Sequence, residues 1–139
     1  MIYNLHILTT LFMWGFITCI QLIHYPMIRF LQPESRPVFE KFHQRQISPL
    51  VVFFMGLEAF TGLWLCYVHS FKGFYLIGLT LIVLIWLSTL LLQVPMHNNI
   101  AKGVKVESST NRLIRTNWIR TVLWTVRALV VVFYFKPLV

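Results

Sequence analysis

Residues 74–94 read FYLIGLTLIVLIWLSTLLLQV, a run without a charged side chain. Its length matches the ~20 residues a helix needs to cross the ~30 Å hydrocarbon core of a bilayer. Three other apolar stretches have similar length, at about 2–25, 49–68 and 117–135. Over 139 residues, 58% are hydrophobic, 12% are charged and the mean hydropathy is +0.72. That balance is too apolar for an ordinary soluble domain, and the chain is too short for two. The reading is all-α: one integral membrane domain over 1–139, built as a bundle of four transmembrane helices. The first stretch reads as a retained helix rather than a signal peptide, because no basic residue precedes it and no small-residue cleavage site follows.

The charges lie between the apolar runs. Connection 26–48 holds Arg29, Arg36, Lys41 and Arg45 among Phe30, Phe39 and Phe42. Pro33 and Pro37 break it early, and the spacing of Val38, Phe42 and Arg45 predicts a short amphipathic interfacial helix between the first two spans. Residues 69–73 predict a tight turn. Connection 95–116 holds Lys102, Lys105, Arg112 and Arg115, with Ser108, Ser109 or Thr110 placed to cap the last helix. The two long connections carry eight Lys or Arg, against only Lys72 and Lys136 in the short turn and the tail. The positive-inside rule then predicts a multi-pass inner (cytoplasmic) membrane protein with both termini outside and loops 26–48 and 95–116 cytoplasmic. The same placement accounts for the formal charge of +8 through the lipid bilayer and its anionic headgroups, so no nucleic acid is expected as a partner. Cys19 and Cys66 sit inside apolar runs and read as packing residues.

Polar residues inside membrane spans are costly and mark functional sites by default. In this topology His24, His43, His97, Asn117 and Arg120 gather at the inner face, while His6 and His69 lie at the outer side. Trp14, Thr18, Gln21 and His24 share one stripe of the first helix, and Gln93 and His97 one of the third. Asn117, Arg120, Trp124 and Arg127 follow offsets of three, seven and ten, a narrow stripe at 100° per residue. Glu58 lies ~14 Å along the second span, at the depth of Arg127, which predicts an ion pair between them with Arg120 as competing partner. In the alternative, Glu58 joins His24, His43 and His97 as ligands of iron, copper or zinc in a bundle core. Gln93, Asn117 and Arg120 are then the catalytic or substrate-orienting groups around the metal. These four ligands share no HxxxH, ExxH or CxxC spacing among themselves, so the site depends on convergence in three dimensions. Haem, held axially by His24 and His97, is the second cofactor reading. A polar network that only holds the helices in register is the structural one.

His24-Tyr25-Pro26, the 39–43 segment, Glu58 with Ala59 and Thr61, Leu92-Gln93-Val94-Pro95 with His97, and Asn117-Trp118-Ile119-Arg120-Thr121 with Trp124 and Arg127 carry a resemblance. The chain resembles a group of uncharacterised bacterial four-helix membrane proteins. More loosely it looks like the anthrone-oxygenase-like membrane family, whose members oxidise polyketide anthrones with molecular oxygen. The resemblance implies the four-helix fold and an oxygenase-like oxidoreductase. The functional expectation is a metal-dependent oxidoreductase acting on a lipophilic aromatic, quinone-like or lipid substrate at the cytoplasmic side. The competing expectations are a non-enzymatic small-molecule, ion or proton binding or transport protein, which with four helices requires homo-oligomers or a partner, and a structural accessory subunit.

Overall fold

A computed structural model describes residues 1–134, and all the regular structure among them is helical. Four long helices follow one another: α1 (Ile2–Ile28), α2 (Arg36–Val68), α3 (Gly73–Ala101) and α4 (Val106–Tyr134). The first three are long and apolar enough to cross a membrane. The fourth carries Arg112, Arg115, Arg120 and Arg127, which lower its hydropathy. Phe135 and Lys136, the predicted end of the last span and the tail cation, lie outside the described residues.

Helix α1 packs on α2 and α4, and α3 packs on the same two, so the helices close into a ring. Three apolar clusters follow one another along its interior. Met13, Ile17, Met55, Ile85 and Trp124 form the middle one, Leu65 and Val131 one end, and Tyr25, Ile28, Ile100 and Leu113 belong to the other. The ring carries large apolar side chains on its exterior and polar as well as apolar groups inside. Leu91 is 68% exposed and Phe133 67%, whereas Asn117 and Arg127 are fully buried. Buried polar groups beneath an extensive apolar exterior are the informative departure, since isolated exposed apolar residues are ordinary.

The predicted interfacial helix is not a separate element. Residues 36–48 form the first part of α2, which runs unbroken for 33 residues, ~50 Å at 1.5 Å per residue. Pro37 sits in the first turn, where its missing N–H is one of the groups left unbonded anyway, so it starts the helix instead of breaking it. Pro49 is carried inside the same helix. The expected loop 26–48 is thereby reduced to residues 29–35. Likewise α4 begins at Val106, ahead of the expected caps, and Ser108 and Thr110 donate to the carbonyls of Lys105 and Val106.

Arg36 joins the two basic connections. It is buried, donates to the carbonyls of Leu31 (3.1 Å) and Arg29 (3.4 Å), and forms an ion pair with the exposed Glu107 at the start of α4. Hydrogen bonding and the charge of Arg36 hold the Glu107 carboxyl below the usual carboxylate value. A depressed carboxylate stabilises the fold above its unfolded-state value, near 4.5, and that contribution is lost as pH falls through the folded value. Glu107→Gln should therefore show a shallower loss of stability below about pH 4.5 than the parent chain, measured by thermal unfolding across pH.

Candidate functional site

Two prolines shape the interior. Pro26 in α1 and Pro95 in α3 lack the N–H of a regular helical turn, and each ring crowds the carbonyl four residues earlier. In both helices the chain responds with one π turn, Ile20–His24 and Thr89–Gln93, closed by N–H groups of Tyr25 and Val94 donating to the carbonyls of Ile20 and Thr89. Pro95 thus neither ends the helix nor stands in a loop, and α3 continues to Ala101. Such turns widen the helix locally and recur at functional sites. Here they bring Gln21, Tyr25, Gln93 and His97 into the ring at one level.

At that level three histidine rings gather. His43 stacks on His24 with centroids 4.5 Å apart and on His97 at 5.5 Å, with planes within 26° and 18° of parallel. The carboxylate beside them belongs to Glu40, fully buried on the same helix as His43. Glu40 Oε1 lies 2.5 Å from Nδ1 of His97 and accepts from Nε2 of Gln44 at 3.2 Å. The other ring nitrogen of His97, Nε2, is 2.9 Å from the hydroxyl of Tyr25. Potential ligand atoms of Glu40, His43 and His97 all lie within 4.8 Å of one another.

A cavity of about 240 Å³ opens beside this cluster, between α2 and α3. Ile47, Val51 and Val94 form apolar walls; Tyr25, His43, Gln93, His97 and Arg120 supply the polar ones. Ser48, Val52, Val94 and Asn98, all exposed, stand at the mouth, so the cavity opens sideways through the wall of the ring.

The predicted stripe of α4 faces inward along its length: Asn117, Arg120, Trp124 and Arg127 are each at most 4% exposed. Asn117 donates to Gln21 Oε1 at 2.8 Å and accepts from Arg120 Nη1 at 3.3 Å. Gln21 donates to the carbonyl of Ile114, and Gln93 to the hydroxyl of Thr116. The α1 stripe differs from the expected one. Trp14 points outward to Thr125, and the inward residues are His6, Thr10, Met13, Ile17 and Gln21.

Of the predicted ligand set, His24, His43 and His97 are brought together and Glu58 is not. Glu58 lies beyond the middle apolar cluster, where its Oε1 accepts from Arg127 Nε and from Thr10, each at 2.9 Å. Arg127, not Arg120, is its partner. His6 completes that group, with Nε2 2.5 Å from Arg127 Nη2 and Nδ1 2.7 Å from Thr61 Oγ1. Helix α3 contributes space: a Cβ at Gly78 would lie 2.5 Å from Arg127 Nη1.

Glu40, Tyr25 and His6 are the residues missed by the sequence reading. For Glu40 the signal is plain in Glu40-Lys41-Phe42-His43, an ExxH spacing that puts both side chains on one helical face. The expectation of a short interfacial helix masked it. Comparison with protein families, curated proteins and solved structures finds no match to this chain.

Because Glu58 and Arg127 are buried and each is the other's charge partner, removing one leaves the other uncompensated. Glu58→Gln should lower the unfolding free energy by about 3 kcal/mol. Pairing it with Arg127→Gln should cost less than the sum of the single changes, a coupling read from a double-mutant cycle in detergent.

Proposed function

We propose that the chain is a multi-pass four-helix bundle of the inner (cytoplasmic) membrane, with its basic connections on the cytoplasmic side. In this reading Glu40, His43 and His97 hold a transition metal that serves an oxidoreductase. The substrate is a lipophilic aromatic, quinone-like or lipid molecule that enters through the mouth between α2 and α3. The observation that carries the reading is the convergence of one carboxylate and two imidazoles beside a sideways-opening cavity with apolar walls.

The donor set fits such an ion. Two histidines and one carboxylate with a further side open are the ligands of non-haem iron oxygenases and of catalytic zinc sites, and imidazole also suits copper. The close contact of His97 with Glu40 joins two groups that would turn to a shared cation once their proton leaves. Tyr25 would then orient His97 from its other nitrogen. When bound, an iron or copper ion supplies a one-electron couple, and zinc only Lewis acidity. The chain's own groups exclude water with the apolar walls and present Tyr25, Gln93 and Arg120 to the ligand. The resemblance to the anthrone-oxygenase-like family adds the reaction class. Haem fits poorly, because the ring of His43 stacks on both proposed axial ligands and leaves no slot for a planar macrocycle between them.

One observation favours a second reading. Both nitrogens of His97 are already engaged, so Tyr25, His97 and Glu40 form a hydrogen-bonded chain that can pass a proton without any metal. That arrangement suits a proton-coupled binding or transport protein, acting as a homo-oligomer.

The two readings separate on elemental analysis of protein purified in mild detergent without chelators or a histidine tag. Near-stoichiometric iron, copper or zinc is expected, lost in both Glu40→Gln and His97→Ala and retained in folded Glu58→Gln. Metal that persists in the first two variants, or a folded parent chain that takes up none, refutes the metal site.

A further inference from the structure

Arg120 is a buried cation without a counter-ion among the described residues. The chain has only four acidic side chains: Glu58 pairs with Arg127, Glu40 with His97 and Glu107 with Arg36, while Glu34 is exposed in the first connection. Arg120 is 4% exposed, and its one hydrogen bond among the described residues runs from Nη1 to the neutral amide of Asn117. Its Nε and Nη2 have no hydrogen-bond partner among the described residues. A guanidinium stays charged at any ordinary pH, and burying it uncompensated is strongly unfavourable. Arg127, two turns further along the same stripe, shows the usual solution, with Glu58 and His6 around it.

The position of Arg120 says what can complete it. Its side chain lines the cavity between α2 and α3, which also has an aliphatic wall of Ile17, Ile20, Ile47 and Val51 and, at its mouth, Val52 and Val94. A guanidinium with two adjacent free N–H groups is the preferred partner of a carboxylate or a similar oxyanion, held through two parallel charge-assisted bonds. The apolar walls and the sideways opening suit a hydrocarbon body that continues out of the ring. We infer that Arg120 anchors the ionised oxygen head of a lipophilic acid, seated in the cavity with its apolar body passing between Val52 and Val94. The inference rests on the proposed reading of this cavity as the substrate seat and names the class of substrate: an oxyanion, carboxylate or phenolate, on an apolar body. Tyr25, with its hydroxyl on His97, stands in the same cavity as the neighbouring proton carrier.

The test is equilibrium binding of isotopically labelled dodecanoate and dodecanol to the full chain in zwitterionic nanodiscs, corrected for empty discs, with 2-naphthoate and acetate as competitors. Dodecanoate should bind at least about tenfold tighter than dodecanol, the scale of one charge-assisted contact. Arg120→Met should abolish the difference while leaving the weak dodecanol binding, and Arg120→Lys should keep part of it. Competition by 2-naphthoate at similar concentration supports a ring acid as the ligand, and its failure supports a chain acid. Equal binding of acid and alcohol, a preference that survives Arg120→Met, or competition by acetate as effective as unlabelled dodecanoate would each overturn the inference. If Arg120→Met does not fold, the parent comparison and Arg120→Lys still decide. A carboxylate preference in metal-free protein upholds the anchor while the metal reading fails; metal-loaded protein with no preference gives the reverse.

Discussion

Helix α4 turns two of its four arginines, Arg120 and Arg127, into the ring, and the register of the other three helices around Arg127 follows from pairing it. Arg127 is met by one carboxylate, one histidine and the space left by Gly78, drawn from three different helices. Since charge in an apolar surrounding is tolerated only when paired and hydrogen-bonded, the helices cannot slide or rotate independently at this level. The group therefore fixes register as much as it adds stability. Apolar packing alone is a weak source of register here, because many large apolar side chains lie on the outer faces of the helices as well as between them.

The second polar level is built by a different device. Each π turn inserts one residue into the α repeat, so the residues that follow it are rotated by roughly 100° from where an unbroken α-helix would put them. With it, α1 presents Gln21 and Tyr25 inward on either side of the turn, and α3 presents Gln93 and directs His97 to Tyr25 and Glu40. Between the two levels lies the cluster of Met13, Ile17, Met55, Ile85 and Trp124. This apolar layer separates the Glu58 group from the cluster of His24, His43 and His97. It also explains why the depth of Glu58, estimated from helix rise alone, matched it with Arg127.

Much of the architecture was legible because it depends on length and local pattern. Four helical stretches, the turn near residue 70 and the inward stripe of α4 all follow from apolar run length and the 100° period. What was hidden depended on chain continuity or on contacts distant in sequence. Pro33 and Pro37 suggested interruption, but a proline in the first turn of a helix costs nothing there, and α2 carries Glu40 and His43 on the same rod as Glu58. A π turn leaves no signature in a regular periodicity, so the α1 stripe was assigned to Trp14 and Thr18 when His6 and Thr10 face inward. His6 looked peripheral because depth near a chain end says nothing of burial. The candidate site was thus legible in its histidines and in Arg120, while its carboxylate, signalled by the spacing of Glu40 and His43, was masked by the expected break in the helix.

The two buried arginines make the division of labour explicit. They lie seven residues apart, on nearly the same face of one helix, so geometry alone would treat them alike. Arg127 meets a carboxylate across the ring, and no cavity is needed there. Arg120 meets a neutral amide and an open space, although an acid at an adjacent position of α2 or α3 would have been enough to neutralise it. Three of the four acids are committed to other partners, and the single acid at this level, Glu40, is turned to His97. A chain that gives one arginine a carboxylate partner and leaves the other beside a cavity keeps a positive charge on that cavity's wall. With the Glu40, His43 and His97 cluster on the adjoining wall, that charge gives the cavity a polarity: an end that attracts an oxyanion and a side that carries the imidazoles. In the proposed reading, a molecule anchored by Arg120 would be oriented toward the histidines before any chemistry began, the service a binding site must render for either proposed function.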